Sequence, residues 1–127
     1  MCFIQLKIMK AYILISFLSI LVLFCNGQPC GELPQSYDSH NEAIAIIKQT
    51  KFLFTDYLPA GNSSWIAKAK YYSCDNRIGF LILTTIRGKE YIHKNVPNDI
   101  WRAFTKSPSN GSYYNTNIKG RYRLILE

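Results

Sequence analysis

Three strand-like segments follow one another between residues 65 and 96, and the connections between them are only seven and three residues long. In the first, Trp65–Tyr72, apolar residues alternate with two lysines, a period typical of a half-buried strand. The second, Phe80–Ile86, is apolar and β-branched, and the third, Glu90–Val96, follows the turn Arg87-Gly88-Lys89. Turns this short allow only antiparallel neighbours, so the sequence predicts a meander at the centre of the fold.

Helix signals stand on both sides of this meander. Ser39-His40-Asn41-Glu42 has the form of a capping box, and the apolar spacing after it predicts a helix running to about Lys51. Pro97 ends the third strand and suits the first turn of a second helix. We therefore expect an α+β fold, a small antiparallel sheet of three to four strands with an N-terminal helix and a second helix after Val96-Pro97. The alternating run 121–126 is the candidate fourth strand, and Phe52–Tyr57 fits either a helix end or a short strand.

Residues 1–27 are predicted to be a signal peptide. An apolar run of fourteen residues, 11–24, follows two lysines. It is shorter than the roughly 20 residues of a spanning helix and suits the apolar region of a signal. Translation starts at Met1 or Met9. In an alternative interpretation Val22-Leu23-Phe24-Cys25 is a lipobox and Cys25 is lipidated. We expect an exported protein, periplasmic or secreted, that meets the membrane only if Cys25 is lipidated or the signal is uncleaved.

Export leaves two cysteines outside the signal region, Cys30 and Cys74. Exported proteins enter an oxidising compartment in which such thiols form disulfides, so the sequence predicts a disulfide between them. Residues 28–38 carry two prolines and a glycine without periodicity and read as a linker. Residues 39–58 form the predicted N-terminal helical segment, and a C-terminal domain occupies 63–127.

Several residues of this C-terminal domain stand in a specific order and spacing. They are Ser63-Ser64, Tyr91-Ile92-His93, Val96-Pro97, Phe104 and Gly111-x-Tyr113-Tyr114-Asn115-x-x-Ile118-Lys119-x-x-Tyr122. In this order they resemble the KTSC domain, which occurs at the C-terminus of some lysyl-tRNA synthetases and as small stand-alone bacterial proteins. The resemblance implies the fold of residues 63–126 and, because RNA binding has been suggested for that family, nucleic acid as an alternative ligand.

The positive charge of the chain is concentrated in the same domain. Residues 68–127 contain eleven Lys and Arg against four acidic residues, whereas residues 28–67 have a net charge of −2. Aromatic rings interleaved with basic residues are typical of a nucleic-acid surface, although tyrosines beside a helix-covered sheet also serve as core with a wet hydroxyl. The candidate binding residues are Tyr91, His93, Lys94, Tyr113, Tyr114, Asn115, Lys119 and Arg121. The amide of Asn115 suits either a ligand contact or a tie between the last segment and the helix.

No catalytic constellation is apparent in the sequence. His93 has no serine, cysteine or carboxylate at a recognisable spacing, and no metal-ligand cluster or phosphate loop accompanies it. We therefore expect neither enzyme activity, nor a cofactor, nor a metal site. The function predicted from sequence is a non-catalytic binding module outside the cytoplasm, for a protein or an anionic polymer; the alternative is nucleic-acid binding through the basic, aromatic C-terminal face.

Overall fold

The computed structural model describes residues 29–127. The predicted signal peptide, the lipidation of Cys25 and the choice of start codon lie outside the described residues. The elements are a short 3-10 turn (Cys30–Glu32), three helices and four strands. In chain order they are α1 (His40–Gln49), β1 (Phe54–Leu58), β2 (Ile66–Ser73), β3 (Ile78–Thr85), β4 (Glu90–Pro97), α2 (Asn98–Lys106) and α3 (Asn110–Asn117).

The four strands form one antiparallel sheet in the order β1-β2-β3-β4. The predicted α+β class and the antiparallel meander are confirmed. The fourth strand is β1, at the N-terminal edge, so the assignment of residues 121–126 to a strand is wrong. That segment forms one isolated β-bridge, between Tyr37 and Leu126, and its backbone contacts β4 only where the Tyr122 carbonyl accepts from the Lys94 amide, so no ladder of strand pairs develops.

Helix α1 begins where the sequence places it. The hydroxyl of Ser39 accepts a hydrogen bond from the Glu42 amide at 3.1 Å, and the Glu42 carboxylate accepts one from the Asp38 amide at 2.7 Å. These bonds satisfy amides at the helix start that have no partner within the helix. The helix ends at Gln49, so the predicted helical segment 39–58 contains both a helix and β1, which pairs with β2.

Both faces of the sheet are covered, which the sequence did not predict. Ile44 and Ile47 of α1 pack on one face against Ile82 and Ile92. Helices α2 and α3 cover the other face. The resulting α2–α3 core contains Ile66, Ala69, Tyr71, Leu81, Leu83, Val96, Trp101, Phe104, Tyr114 and Ile118.

Helix α3 forms in a stretch for which the sequence predicts no helix. The Ser109 hydroxyl accepts a hydrogen bond from the Ser112 amide at 3.3 Å and caps the helix start. Tyr114 and Ile118 of this segment enter the core. Glycine, serine and asparagine are poor helix formers, so burial of these two side chains has to supply what local propensity does not.

The segment predicted as a linker, residues 28–38, is packed over part of its length. Tyr37 is 2% exposed and joins the α1 core. Its amide donates to the Ile125 carbonyl and its carbonyl accepts from the Glu127 amide. Cys30 and Cys74 are paired, with Cα atoms 5.9 Å apart, within the range of a disulfide. The N-terminal segment is therefore attached to the domain at several places, which include the Cys30–Cys74 pair, the backbone bonds of Tyr37 and the Gln35 carbonyl, which accepts from the Lys94 ammonium.

Candidate functional site

His93, one of the predicted binding residues, lies inside the fold. It is 8% exposed, and its ring lies between α3 and the C-terminal segment. Its Nδ1 is 3.3 Å from the carbonyl oxygen of Tyr122, and its Nε2 is 3.0 Å from the hydroxyl of Tyr114. A carbonyl oxygen only accepts, so Nδ1 carries the proton and Nε2 accepts the Tyr114 hydroxyl proton.

This arrangement holds the imidazole neutral. Burial lowers the pKa of His93, against a smaller opposing effect of the Tyr122 carbonyl. Burial also raises the pKa of Tyr114 to about 12, with a further contribution from Tyr91. Both ring nitrogens of His93 are therefore used to join β4, α3 and the C-terminal segment, and neither faces solvent with a free lone pair.

The predicted binding residues divide into buried and exposed groups. Tyr114 is 4% exposed and packs edge-on against Trp65, with ring centroids 5.4 Å apart. Tyr113 is half-buried against the same core. Tyr91 is exposed at the surface of β4, with the ammonium of Lys89 4.9 Å from its ring centre. Of the predicted aromatic platform, Tyr91 thus offers the most open ring.

Basic residues flank the contact between β4 and the turn after α3. The Tyr122 carbonyl accepts a hydrogen bond from the Lys94 amide at 3.3 Å, which holds the turn with its exposed cations against this strand. The Lys94 ammonium donates to the Gln35 carbonyl at 2.8 Å. We call this surface the basic edge; it comprises Lys89, Tyr91, Lys94, Lys119, Arg121 and Arg123.

The positive charges of this edge are not neutralised by carboxylates. Among the residues from 29 onward, the ion pair formed is that between Lys48 and Glu90, at 2.7 Å. Glu90 is the acidic residue within β4, and its carboxylate pairs with the Lys48 ammonium of α1 and not with a cation of the basic edge. None of the eleven Lys and Arg of residues 68–127 has an ion-pair partner in this part of the chain.

Asn115 does not make the tie considered from sequence. Its side chain is exposed and makes no hydrogen bond within residues 29–127. Asn110 makes a tie instead: it is 2% exposed, its Oδ1 accepts from the Asn62 amide at 2.5 Å and its Nδ2 donates to the Phe104 carbonyl at 2.6 Å. Asn110 joins the loop before β2 to the end of α2, a role that the sequence does not indicate, because Pro108-Ser109-Asn110-Gly111 has the composition of a turn.

A polar cleft lies between that loop and α3. It is open to solvent, has a volume of about 340 Å³ and is lined by Asn62, Ser63, Ser64, Trp65, Ser109, Gly111, Ser112 and Asn115. A Cβ on Gly111 would lie 2.6 Å from the indole nitrogen of Trp65, so only glycine allows the helix to approach the loop this closely. The sequence does not predict this cleft either, because its two walls come from segments almost fifty residues apart and no local pattern shows that they meet.

The described residues include no helix of the length and apolarity needed to span a membrane. They also include no group of three or more His, Cys, Asp or Glu side chains placed to hold a metal ion.

The fold and these surfaces define a small α+β module whose one sheet histidine is a buried structural residue. Residues 62–122 match the family model of the KTSC domain, and the chain carries a KTSC domain at these positions. The resemblance drawn from the sequence is thereby confirmed. Neither the curated proteins nor the solved structures contain a significant match to the chain.

Proposed function

We propose that this protein is a non-catalytic binding module that acts outside the cytoplasm and that its ligand is an anionic polymer bound at the basic edge. The observation that carries the proposal is the absence of ion-pair partners for the cations of residues 68–127 within the described chain. Unpaired cations attract a polyanion and release its counterions, which supplies binding energy without sequence-specific contacts.

The non-catalytic part of the proposal rests on His93. A general base needs a nitrogen within reach of a substrate proton, and both nitrogens of this ring are already hydrogen bonded to Tyr114 and Tyr122 inside the fold. The extracytoplasmic part is supported by the pairing of Cys30 with Cys74, because disulfides persist chiefly in oxidising compartments.

Nucleic acid is the alternative ligand, favoured by the open ring of Tyr91 beside Lys89. A base stacks on such a ring, whereas a sulfated or phosphorylated polymer without bases has no aromatic group to stack there. Because Tyr114 and His93 are buried, the stacking surface is smaller than the sequence predicted. We therefore propose that the protein recognises the negative charge of the polymer and not its bases.

Fluorescence anisotropy with labelled heparin and labelled poly(U), each over a series of salt concentrations, tests the proposal. The double variant Lys119→Ala/Arg121→Ala should weaken heparin binding and make its salt dependence shallower. The double variant Lys68→Ala/Lys70→Ala is the matched control, since it removes the same charge from exposed positions of β2. Equal losses in both double variants, or no heparin binding at low salt, would refute the basic edge as the site.

Tyr91→Ala separates the two ligands. If bases stack on Tyr91, poly(U) affinity should fall by about 1–3 kcal/mol while heparin affinity is unchanged. If charge alone is recognised, both affinities should be unaffected by this variant, and the slope of log K against log salt for poly(U) should drop by about 0.7 for each phosphate contact removed at Lys119 and Arg121.

A further inference from the structure

The polar cleft between the β1–β2 loop and α3 is a second surface with the character of a binding site, and it is distinct from the basic edge. None of its eight lining residues is charged. It presents four serine hydroxyls, two asparagine amides and one indole N–H, so hydrogen-bond donors and acceptors are mixed along its walls. Its volume of about 340 Å³ is that of a small-molecule site.

Many of these polar groups are not used by the fold. The Ser63 hydroxyl accepts from the Trp65 and Ile66 amides at 3.3 and 3.2 Å, which leaves its own proton free to donate. The side chains of Ser64 and Asn115 make no hydrogen bond to any residue in the described range. The same is true of the indole N–H of Trp65, in contrast to that of Trp101, which donates to Asp56 at 2.7 Å.

The walls of the cleft are held rigidly. On the loop side, the amide and the carbonyl of Asn62 bond to the side chain and the amide of Asn110, at 2.5 and 3.1 Å. On the helix side, Gly111 lies against Trp65, which in turn packs on Tyr114. A site whose walls are already in place loses little conformational entropy when a ligand binds.

Four of the residues by which the chain resembles the KTSC family line this cleft, namely Ser63, Ser64, Gly111 and Asn115. Phe104 and Tyr114 have an evident structural role, because they are buried in the α2–α3 core. Ser64 and Asn115 have none: both are exposed, unbonded and turned towards the cleft.

We propose that the polar cleft binds a neutral polyhydroxylated ligand, the end of a carbohydrate chain, through Ser63, Ser64, Trp65 and Asn115. Sugar hydroxyls donate and accept at once, as the serine and asparagine side chains do, and the uncharged walls give no compensation to a charged group. The edge of the indole supplies one further donor beside an apolar ring.

Titration of the ¹⁵N-labelled, oxidised protein with neutral oligosaccharides, followed by NMR, tests this site. Tri-N-acetylchitotriose, cellotriose and maltotriose are the probes, and inorganic phosphate is titrated in parallel. At least one sugar should shift the indole N–H signal of Trp65 and the backbone amide of Gly111 in the millimolar range. Its affinity should not change with salt, whereas polymer binding at the basic edge should, so the two proposals fail independently.

Asn115→Ala should weaken binding of that sugar about two- to tenfold, the effect of removing one neutral hydrogen bond. Thr116→Ala is the matched control: it changes the neighbouring exposed residue of α3, which does not line the cleft, and should leave the affinity unchanged. Thermal unfolding should be the same for both variants. Absence of shifts with all three sugars, or shifts at the cleft with phosphate alone, would overturn the proposal.

Discussion

The buried imidazole of His93 should make the stability of the domain depend on pH. Burial lowers its pKa in the folded state, while in the unfolded chain a histidine titrates near 6.5. Below pH 6.5 the unfolded state therefore binds a proton that the folded state does not, and stability rises with pH. The contribution is fully present above about pH 6.5 and is lost as pH falls from there towards the folded-state pKa.

The size of the effect follows from linkage. One group titrating only in the unfolded state changes the free energy of unfolding by up to about 1.4 kcal/mol per pH unit. That is a sizeable part of the 5–15 kcal/mol stability typical of a domain. In addition, Tyr114→Phe removes the hydroxyl that donates to Nε2 and leaves a buried acceptor unpaired, which should cost about 1–3 kcal/mol at neutral pH.

Urea unfolding monitored by tryptophan fluorescence at pH 5.5, 6.5 and 7.5 measures both quantities. The comparison is between the wild type, His93→Gln and the control His40→Gln, which changes an exposed histidine at the start of α1. The three proteins carry the same carboxylates, so a difference between the curves reports on the histidine replaced, with only a minor electrostatic effect of His40 on the pKa of His93. The pH slope should shrink in His93→Gln and persist in His40→Gln. Identical slopes in all three proteins, or a wild type that gains stability below pH 6.5 relative to His93→Gln, would refute the assignment of a neutral buried ring.

Three further changes test the contacts that hold the domain together. Asn110→Ala leaves the buried Phe104 carbonyl and the part-buried Asn62 amide without their partner and should lower the free energy of unfolding by about 2–4 kcal/mol, measured by urea titration; a loss below about 0.5 kcal/mol, as expected of an exposed position, would contradict the tie. Cys30→Ser opens a loop of 44 residues and should cost about 4 kcal/mol in the chain-entropy estimate, visible as a lower melting temperature that reducing agent no longer affects; an unchanged melting temperature would mean that the bridge does not constrain the unfolded chain. Gly111→Ala places a methyl group 2.6 Å from the Trp65 indole nitrogen and should destabilise by about 1–3 kcal/mol with a shift in tryptophan emission, whereas an unaltered spectrum would argue against the close approach of α3 to the loop.

Local sequence signals predicted the elements that depend on interactions between residues close together in the chain. The capping box at Ser39 marks the start of α1, and the turns around Gly88 separate strands whose observed bounds differ from the predicted ones by one or two residues. Helix α3 was missed for the opposite reason: its residues favour turns, and the helix depends on packing of Tyr114 and Ile118 against the sheet.

The sequence did not show which of the candidate binding residues are exposed. Composition indicated a basic, aromatic C-terminal half, but it did not distinguish the exposed ring of Tyr91 from the buried side chains of His93 and Tyr114. An extra residue in β4, where Asn95 has a φ of 58°, also shifts the register and brings Val96 into the same core that His93 borders. Strict alternation along the strand would have placed Val96 on the other face.

The sequence by itself determined the antiparallel meander, the start of α1, the Cys30–Cys74 pair and the uneven charge, since each depends on a short stretch of chain, a residue count or the chemistry of two thiols. The tertiary structure decided that helices cover both faces of the sheet, that His93 is a structural residue and that Ser64 and Asn115 meet at one cleft. The physical reason is that burial depends on which distant elements pack together. His93 becomes satisfied only when Tyr114 and Tyr122, 21 and 29 residues further along the chain, are folded against it.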